Sequence, residues 1–300
     1  MTKSLNLSLL LLALCMASAQ ALAAESSAPW SADIDQVRQA AAMIPGPRPL
    51  RVNVIKFAES RRPKNFAVKG LPAEPSVQAR TAYQIVYADG TVMVDTGMDL
   101  ATHQFFGRGV EEPYFPQSAA RVAQALRSAR AILVTHEHGD HIAGLMRSES
   151  FGELAPKTVL TRLQLQTLQN EPQLPELRPS PEMAARLRVV DYPDYMAFAP
   201  GMALIKAPGH TPGSQMVYVA LQSGRELLLA GDVAWHMDAV RLNTGKDAPW
   251  IKEPPELMAA ELNWLNGLFR TEKNLSIVIS HDDEQRREYI EQGILGDGFE

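Results

Sequence analysis

Thr135-His136-Glu137-His138-Gly139-Asp140-His141 places three imidazoles and an aspartate within six residues, directly after the apolar run Ala131-Ile132-Leu133-Val134. Imidazole and carboxylate are the ligands of zinc and other borderline divalent cations, so the cluster proposes a metal site. The apolar run reads as a short buried strand, which puts the ligands on the turn leaving its end, where side chains converge instead of alternating between faces. His136 and His138 share a parity, whereas Asp140 and His141 point elsewhere once the chain turns. That division suits two neighbouring ions better than one. Surface exposure or core hydrogen bonding would account for a lone histidine but not for this grouping.

Three later segments each end an apolar or turn-rich stretch on a further ligand candidate: Pro208-Gly209-His210-Thr211-Pro212-Gly213, Leu227-Leu228-Leu229-Ala230-Gly231-Asp232 and Ile277-Val278-Ile279-Ser280-His281-Asp282. In that order, the four motifs resemble those of the metallo-β-lactamase superfamily of dinuclear metal hydrolases, over roughly residues 50 to 285. The resemblance implies that His136, His138 and His210 hold one ion, that Asp140, His141 and His281 hold the other, and that Asp232 bridges them. It also implies two Zn2+, with iron or manganese as lesser alternatives. The donor chemistry agrees, because a carboxylate between two cations offsets their repulsion and the remaining positive charge calls for a bound hydroxide. Asp95, in Asp95-Thr96-Gly97 after Val92-Met93-Val94, is expected either to orient a ligand imidazole from behind or to organise the turn. His103 and His236 lack partners at ligand spacing; His236, four residues past Asp232, is a candidate for the pocket wall.

The elements that must position these groups follow from apolar patterning. Strands are expected at 51–57, 82–88, 91–95, 131–135, 203–206, 216–220, 226–230 and 275–279, and helices at 31–43, 118–128, 256–269 and 285–292. Tyr87-Ala88-Asp89-Gly90-Thr91 signals a hairpin. Residues 59–80 and 98–117 read as long loops, the second carrying Phe105, Phe106, Tyr114 and Phe115 as an apolar wall over the metals. The patch Arg61-Arg62-Pro63-Lys64 reads as solvated, and Pro172 to Pro181 as a linker between two halves. Those two similar halves, packed sheet to sheet with helices outside in a four-layer αββα sandwich of the α/β class, are what the resemblance implies.

Residues 1–23 open on Lys3, continue through Leu5 to Met16 and finish with Ala21-Leu22-Ala23, the pattern of a secretory signal cleaved after Ala23. Export to the periplasm or beyond is the expectation, with 24–300 as one domain and no stable membrane anchor. Cys15 is the only cysteine and lies in the leader, so the mature chain has no disulfide and no thiolate ligand. The β-lactamases that place Cys on the second zinc are thereby set aside. Of 29 Lys and Arg the leader takes one, against 34 Asp and Glu, leaving a net charge of about −6. Nucleic acid is excluded as a partner on that balance.

The expected reaction is opening of a lactone or ester by a metal-bound hydroxide, with Asp140 handing a proton to the leaving group and Asp232 holding both ions. Locally, Pro208 to Gln215 and Ser280 to Gln285 resemble N-acyl homoserine lactonases most. Those enzymes carry Tyr three residues after the bridging Asp; here Trp235 stands there, with an indole N–H but no hydroxyl. The alternatives are a glyoxalase II-like thioesterase, a β-lactamase-type hydrolase, an iron-dependent oxidoreductase of the same fold, and a non-catalytic binding protein. The partner is a small lactone or ester, and a dimer is compatible with the sequence.

Overall fold

Apolar residues occupy both faces of the central strands, which requires a layer on each side. The computed structural model describes residues 30–299; the leader and its cleavage site lie outside them. One sheet consists of β1 (Arg51–Pro63), β2 (Pro75–Tyr87), β3 (Gly90–Val94), β4 (Ala131–Leu133), β5 (Thr158–Thr161), β6 (Arg188–Val190) and the last strand, β12 (Gly296–Asp297), in the order β12-β1-β2-β3-β4-β5-β6. The other consists of β7 (Tyr195–Ala199), β8 (Met202–Lys206), β9 (Gln215–Ala220), β10 (Glu226–Leu229) and β11 (Leu275–Val278), in the order β11-β10-β9-β8-β7.

Alternate residues serve alternate cores. Val92 and Val94 of β3 and Ala131 and Leu133 of β4 meet Met202, Leu204, Val217, Val219, Leu227 and Leu229 of the second sheet. The intervening Met93 and Ile132 turn the other way, into a core shared with Val122 and Leu126 of one helix and Ile142 and Leu145 of another. Each such buried aliphatic side chain contributes roughly 1.5–3 kcal/mol through loss of contact with water. In chain order the helices are α1 (Ile34–Ala42), α2 (Lys64–Ala67), α3 (Leu100–Gly107), α4 (Pro116–Ser128), α5 (Gly139–Met146), α6 (Phe151–Leu154), α7 (Arg162–Asn170), α8 (Pro181–Ala184), α9 (Met237–Leu242), α10 (Pro255–Thr271) and α11 (Asp283–Glu291). Helix α1 packs on β7, β8 and β9, and α10 on β11, while α4 and α5 cover the first sheet. The architecture is the expected α/β sandwich of two sheets with helices outside. No helix among the described residues is long and apolar enough to cross a membrane.

Several expectations need correction. Residues 59–80 are mostly strand: β1 and β2 form one antiparallel hairpin out to the pair Pro63↔Pro75, with α2 following β1. Both prolines stand at the end of the ladder, where a missing N–H breaks little. Arg61 is exposed, as a solvated patch requires, but Arg62 forms an ion pair with Glu112, whose side chain is almost excluded from water, and Lys64 with Asp238. The loop at 98–117 contains α3, whose first turn is capped by Asp99 accepting from Thr102 N at 2.7 Å. Residues 172–181 do not join the halves. Their prolines shape a 3-10 turn at Pro175–Leu177, pinned by buried Leu174 and Leu177, and the chain crosses between sheets later, at 191–194.

One close approach locks the ligand-bearing helix to the sheet. A Cβ at Gly144 of α5 would lie 2.0 Å from the Thr96 carbonyl oxygen, so only glycine lets α5 approach the turn after β3. Gly144→Ala should therefore cost more than about 2 kcal/mol, despite the better helix propensity of alanine, read as a fall in urea midpoint at unchanged slope. A variant as stable as the parent would show that this contact yields readily.

Candidate metal centre

Every ligand candidate stands just past the end of a strand. His136 and His138 follow β4, and Asp140 and His141 lie in the first turn of α5. His210 follows β8, Asp232 follows β10, and His281 follows β11. The β3–β4 and β10–β11 pairs run parallel, so their C-terminal ends point the same way and deliver side chains to one place. Gln164 and Gln215 hold the turn after β4 in shape: their side-chain amides donate to Val134 O at 2.9 and 2.8 Å.

The structure brings all seven together. His136, His138 and His210 form one group, Asp140, His141 and His281 another, and His136, His141 and Asp232 a third that joins them, the donor atoms within each lying no more than 4.8 Å apart. Asp232 Oδ2 is 3.0 Å from His281 Nε2, 3.6 Å from His210 Nε2 and 3.8 Å from His136 Nε2, while Oδ1 is 3.4 Å from His141 Nε2. His136 Nε2, His141 Nε2 and Asp232 Oδ1 are buried and make no hydrogen bond. Orphaned donor atoms of this kind, clustered and nitrogen-rich, fit a pair of divalent cations.

The opposite edges of the imidazoles are held by the protein. His141 Nδ1 donates to Asp95 Oδ2 at 2.8 Å, and Thr135 N donates to Asp95 Oδ1 at 2.7 Å, so Asp95 both orients the ligand and fixes the turn. Asp95 itself has φ 65°, a left-handed conformation that Asp tolerates better than most residues. His281 Nδ1 donates to Ala79 O at 2.7 Å, and His210 Nδ1 to Glu253. Such partners fix which nitrogen is free to ligate. Burial holds His136, His138 and His210 below the ordinary imidazole value, with nearby positive charge adding to it, so they favour the neutral, ligating form. Burial also opposes charge on His141 and Asp232, but their mutual attraction outweighs it: Asp140, Asp95 and Asp232 raise His141 well above its usual range, and His281, His141 and His136 hold Asp232 well below.

A cavity of about 290 Å³ opens beside the cluster, lined in part by His138, Asp140, Asp232, Trp235, Phe106 and Trp250. Phe106 is thus in the wall as expected, whereas Phe105 is 57 % exposed and touches Phe106 edge-on from outside. Alternation round a helix turn separates the two. His236 is not in the wall either. Its Nδ1 accepts from Asp238 N at 3.1 Å, capping α9. His103, near Glu112 O at 3.2 Å, is remote from the ligands as expected. A second cavity, about 310 Å³ between α4 and the Thr96–Asp99 turn, contains none of the seven.

Sequence reasoning missed four residues: Arg80, Lys246, Glu253 and Glu261. Arg80 of β2 donates to Asp140 Oδ2 at 2.8 Å. Lys246, its side chain 1 % exposed, pairs with Glu253 at 2.6 Å, donates to the Asp232 carbonyl and lies 5.0 Å from the centre of the Trp235 ring. Neither segment carries a motif; Arg80 falls in the stretch read as loop, and Lys246 in an irregular Gly-containing segment. The fourth is Glu261 of α10, fully buried, accepting from Gly209 N at 2.8 Å with its other oxygen unpartnered. Only its place on the inward side of α10, beside Met258, Leu262 and Leu265, hinted at burial.

Two expected outcomes follow. Asp95→Asn should weaken metal affinity about 10- to 100-fold with little change in fold, as measured by chelator competition and circular dichroism; unchanged affinity would reduce Asp95 to a turn former. Burial pushes the Glu261 carboxyl up to about 7, so folding takes up a proton and the stability it contributes is greatest below pH 4.5 and is lost as pH rises to about 7. Glu261→Gln keeps the acceptor for Gly209 and removes the titration. It should raise stability at pH 8 by up to about 3 kcal/mol and flatten the slope between pH 4.5 and 7 in urea titrations.

Comparison with known proteins agrees with this geometry. The sequence profile of the metallo-beta-lactamase superfamily matches residues 76–253. An N-acyl homoserine lactonase from Bacillus thuringiensis is 25 % identical over 219 residues, covering 68 % of this chain and 82 % of its own length. Among solved structures, an N-acyl homoserine lactone hydrolase with N-hexanoyl-L-homoserine at its catalytic metal centre superposes with TM-score 0.63 at 20 % identity, covering 80 % of this chain and 96 % of that one. A dizinc quorum-quenching lactonase does so with TM-score 0.58 at 13 % identity, covering 79 % and 91 %. With the profile spanning more than half the sequence and every motif ligand in its cluster, the chain belongs to the metallo-beta-lactamase superfamily of metal-dependent hydrolases.

Proposed function

We propose that this protein is an exported dinuclear zinc hydrolase that opens a lactone or ester bond in a small molecule. The observation that carries the reading is the pair of ligand groups on either side of Asp232, at the wall of a cavity sized for a small substrate. Five imidazoles and two carboxylates without a thiolate favour zinc. The lactonases among its relatives favour a cyclic ester as substrate, and the leader-like residues 1–23 favour export, with the mature chain starting at Ala24.

Bound at this site, two divalent cations would lower the pKa of water toward 7 and polarise a carbonyl. The protein's own groups do the rest. Asp232 keeps the two ligand groups in register, and Lys246 and Trp235 hold Asp232 from either end, the first at its carbonyl and the second by donating Nε1–H to Oδ2 at 2.8 Å. Trp235 therefore spends its single donor on the carboxylate and offers substrate an apolar ring. That differs from the tyrosine that the resemblance to acyl homoserine lactonases leads one to expect here, because an indole has no hydroxyl. Asp140, oriented by Arg80, would take up the proton released as water adds to the carbonyl and pass it on to the departing oxygen. Phe106 and Trp250 supply apolar wall beside the ligands.

The purified mature protein should hold two zinc per chain and hydrolyse an acyl homoserine lactone, a simple γ-lactone or an aryl ester in a chelator-sensitive manner. Asp232→Ala and His141→Ala should each lower second-metal occupancy and reduce kcat by at least about 100-fold. Full activity at unchanged metal content in either variant would overturn the dinuclear reading, and turnover confined to thioesters or cephalosporins would move the substrate class.

A further inference from the structure

Arg108 is the one arginine of the cavity wall without a carboxylate partner among the described residues. The wall holds three. Arg62 is paired with Glu112, whose side chain is nearly excluded from water, and Arg80 with Asp140. The Arg108 guanidinium instead lies 4.8 Å from the centre of the Trp250 ring, in the cavity that His138, Asp140 and Asp232 also line. Trp250 is itself braced edge-on by Phe66 at 5.4 Å, so the stack is supported from behind.

The backbone adds an independent observation. Arg108 is the C-cap of α3 at φ 51°, in the left-handed region where Gly or Asn is ordinarily found, and Gly107 and Gly109 flank it. A long cationic side chain in that conformation is an unfavourable local choice, and such choices concentrate where a side chain has to be aimed. The surrounding segment is fixed: Arg62 donates to Phe106 O at 3.2 Å, Arg61 N donates to Glu112 at 2.9 Å, and Val110 N closes a turn to Gly107 O at 2.9 Å. Glu112 is committed to Arg62, leaving its acidity unavailable to Arg108. The other polar groups lining the cavity away from the ligands are the neutral amides of Gln78 and Gln173. A guanidinium held over an indole face can still turn N–H groups toward a planar anion, in the fork geometry that carboxylates accept.

We infer that Arg108, stacked on Trp250, is a carboxylate-recognition subsite, so that the substrate is a lactone or ester carrying an anionic group at the end remote from the scissile carbonyl. This rests on the hydrolase reading for the reaction, but the recognition itself is a property of binding. A neutral acyl chain would leave the guanidinium unpaired, whereas a terminal carboxylate would gain a charge-assisted, two-pronged contact.

The test compares two lactones of matched length, N-hexanoyl homoserine lactone and its analogue with a terminal carboxylate, N-adipoyl homoserine lactone. Their ring-opened products serve as ligands for the metal-loaded protein in calorimetry and tryptophan fluorescence. The anionic member is expected to be preferred about tenfold both in kcat/KM and in product affinity, with the preference shrinking as salt is raised. Arg108→Gln should abolish the preference and Arg108→Lys retain part of it. Arg108→Gly relieves the left-handed backbone while deleting the guanidinium, so it stays folded and should lose the preference too. Equal binding of the two products by the parent protein, or a preference that survives Arg108→Gln, would overturn the subsite. Discrimination in binding without turnover of either lactone would instead sink the lactonase reading and leave this one standing.

Discussion

Burying Asp232 among imidazoles is the constraint on which the rest of the structure depends. A carboxylate excluded from water is strongly unfavourable unless positive charge surrounds it, and four histidine nitrogens within 4 Å, together with the Trp235 N–H, stand close to its oxygens. The cluster is stable only if something cationic, a proton or a metal, sits among these groups. Everything outside it can then be read as keeping those donor atoms fixed while excluding competing partners. Asp95, Ala79 and Glu253 occupy the far nitrogens of His141, His281 and His210, and the glutamines behind β4 hold the backbone that carries His136 and His138. The two sheets provide a rigid base because their facing sides are packed with aliphatic side chains.

The ligand set was legible in the sequence because each ligand follows an apolar run that could only be a buried strand, and because several lie within one short motif. The strands that were read correctly are the ones with continuous apolar patterning, such as Val92 to Val94 and Leu227 to Leu229. Those that were missed lack it. Thr158 to Thr161 and Arg188 to Val190 are short and begin or end on polar residues, and Tyr195 to Ala199 is only half-buried. The outer part of the β1–β2 hairpin was hidden by its composition: Arg, Lys, Pro, Ser and Gln suggest a loop, yet Arg62 faces an ion-pair partner and Gln78 and Arg80 line the cavity. Arg80 and Lys246 were invisible for a related reason. A single buried cation gains its meaning from partners far away in sequence, and no local pattern marks it.

Trp235 shows how one substitution relative to a family pattern is absorbed. The indole keeps a donor at the place where a tyrosine would stand, but the donor points into the Asp232 carboxylate. Lys246 then packs against the ring and ties down the main chain of the same aspartate. The side chain at this position stiffens the cluster, while the cavity rim carries the guanidinium of Arg108 over the ring of Trp250.

The hairpin of β1 and β2 also bears on how the molecule is assembled. Ala79 exchanges main-chain and side-chain hydrogen bonds with His281, and β1 pairs in parallel with β12 at the other end of the chain. His281 is thus clasped by a strand synthesised some 200 residues earlier, so its part of the cluster is a long-range closure rather than a local motif. His136, His138, Asp140 and His141 can gather early from one stretch of chain; His281 joins only when the last strands dock. Completion of the cluster therefore reports that the chain has been made and folded through β11, and a half-folded chain carries the most recognisable motif without the means to use it.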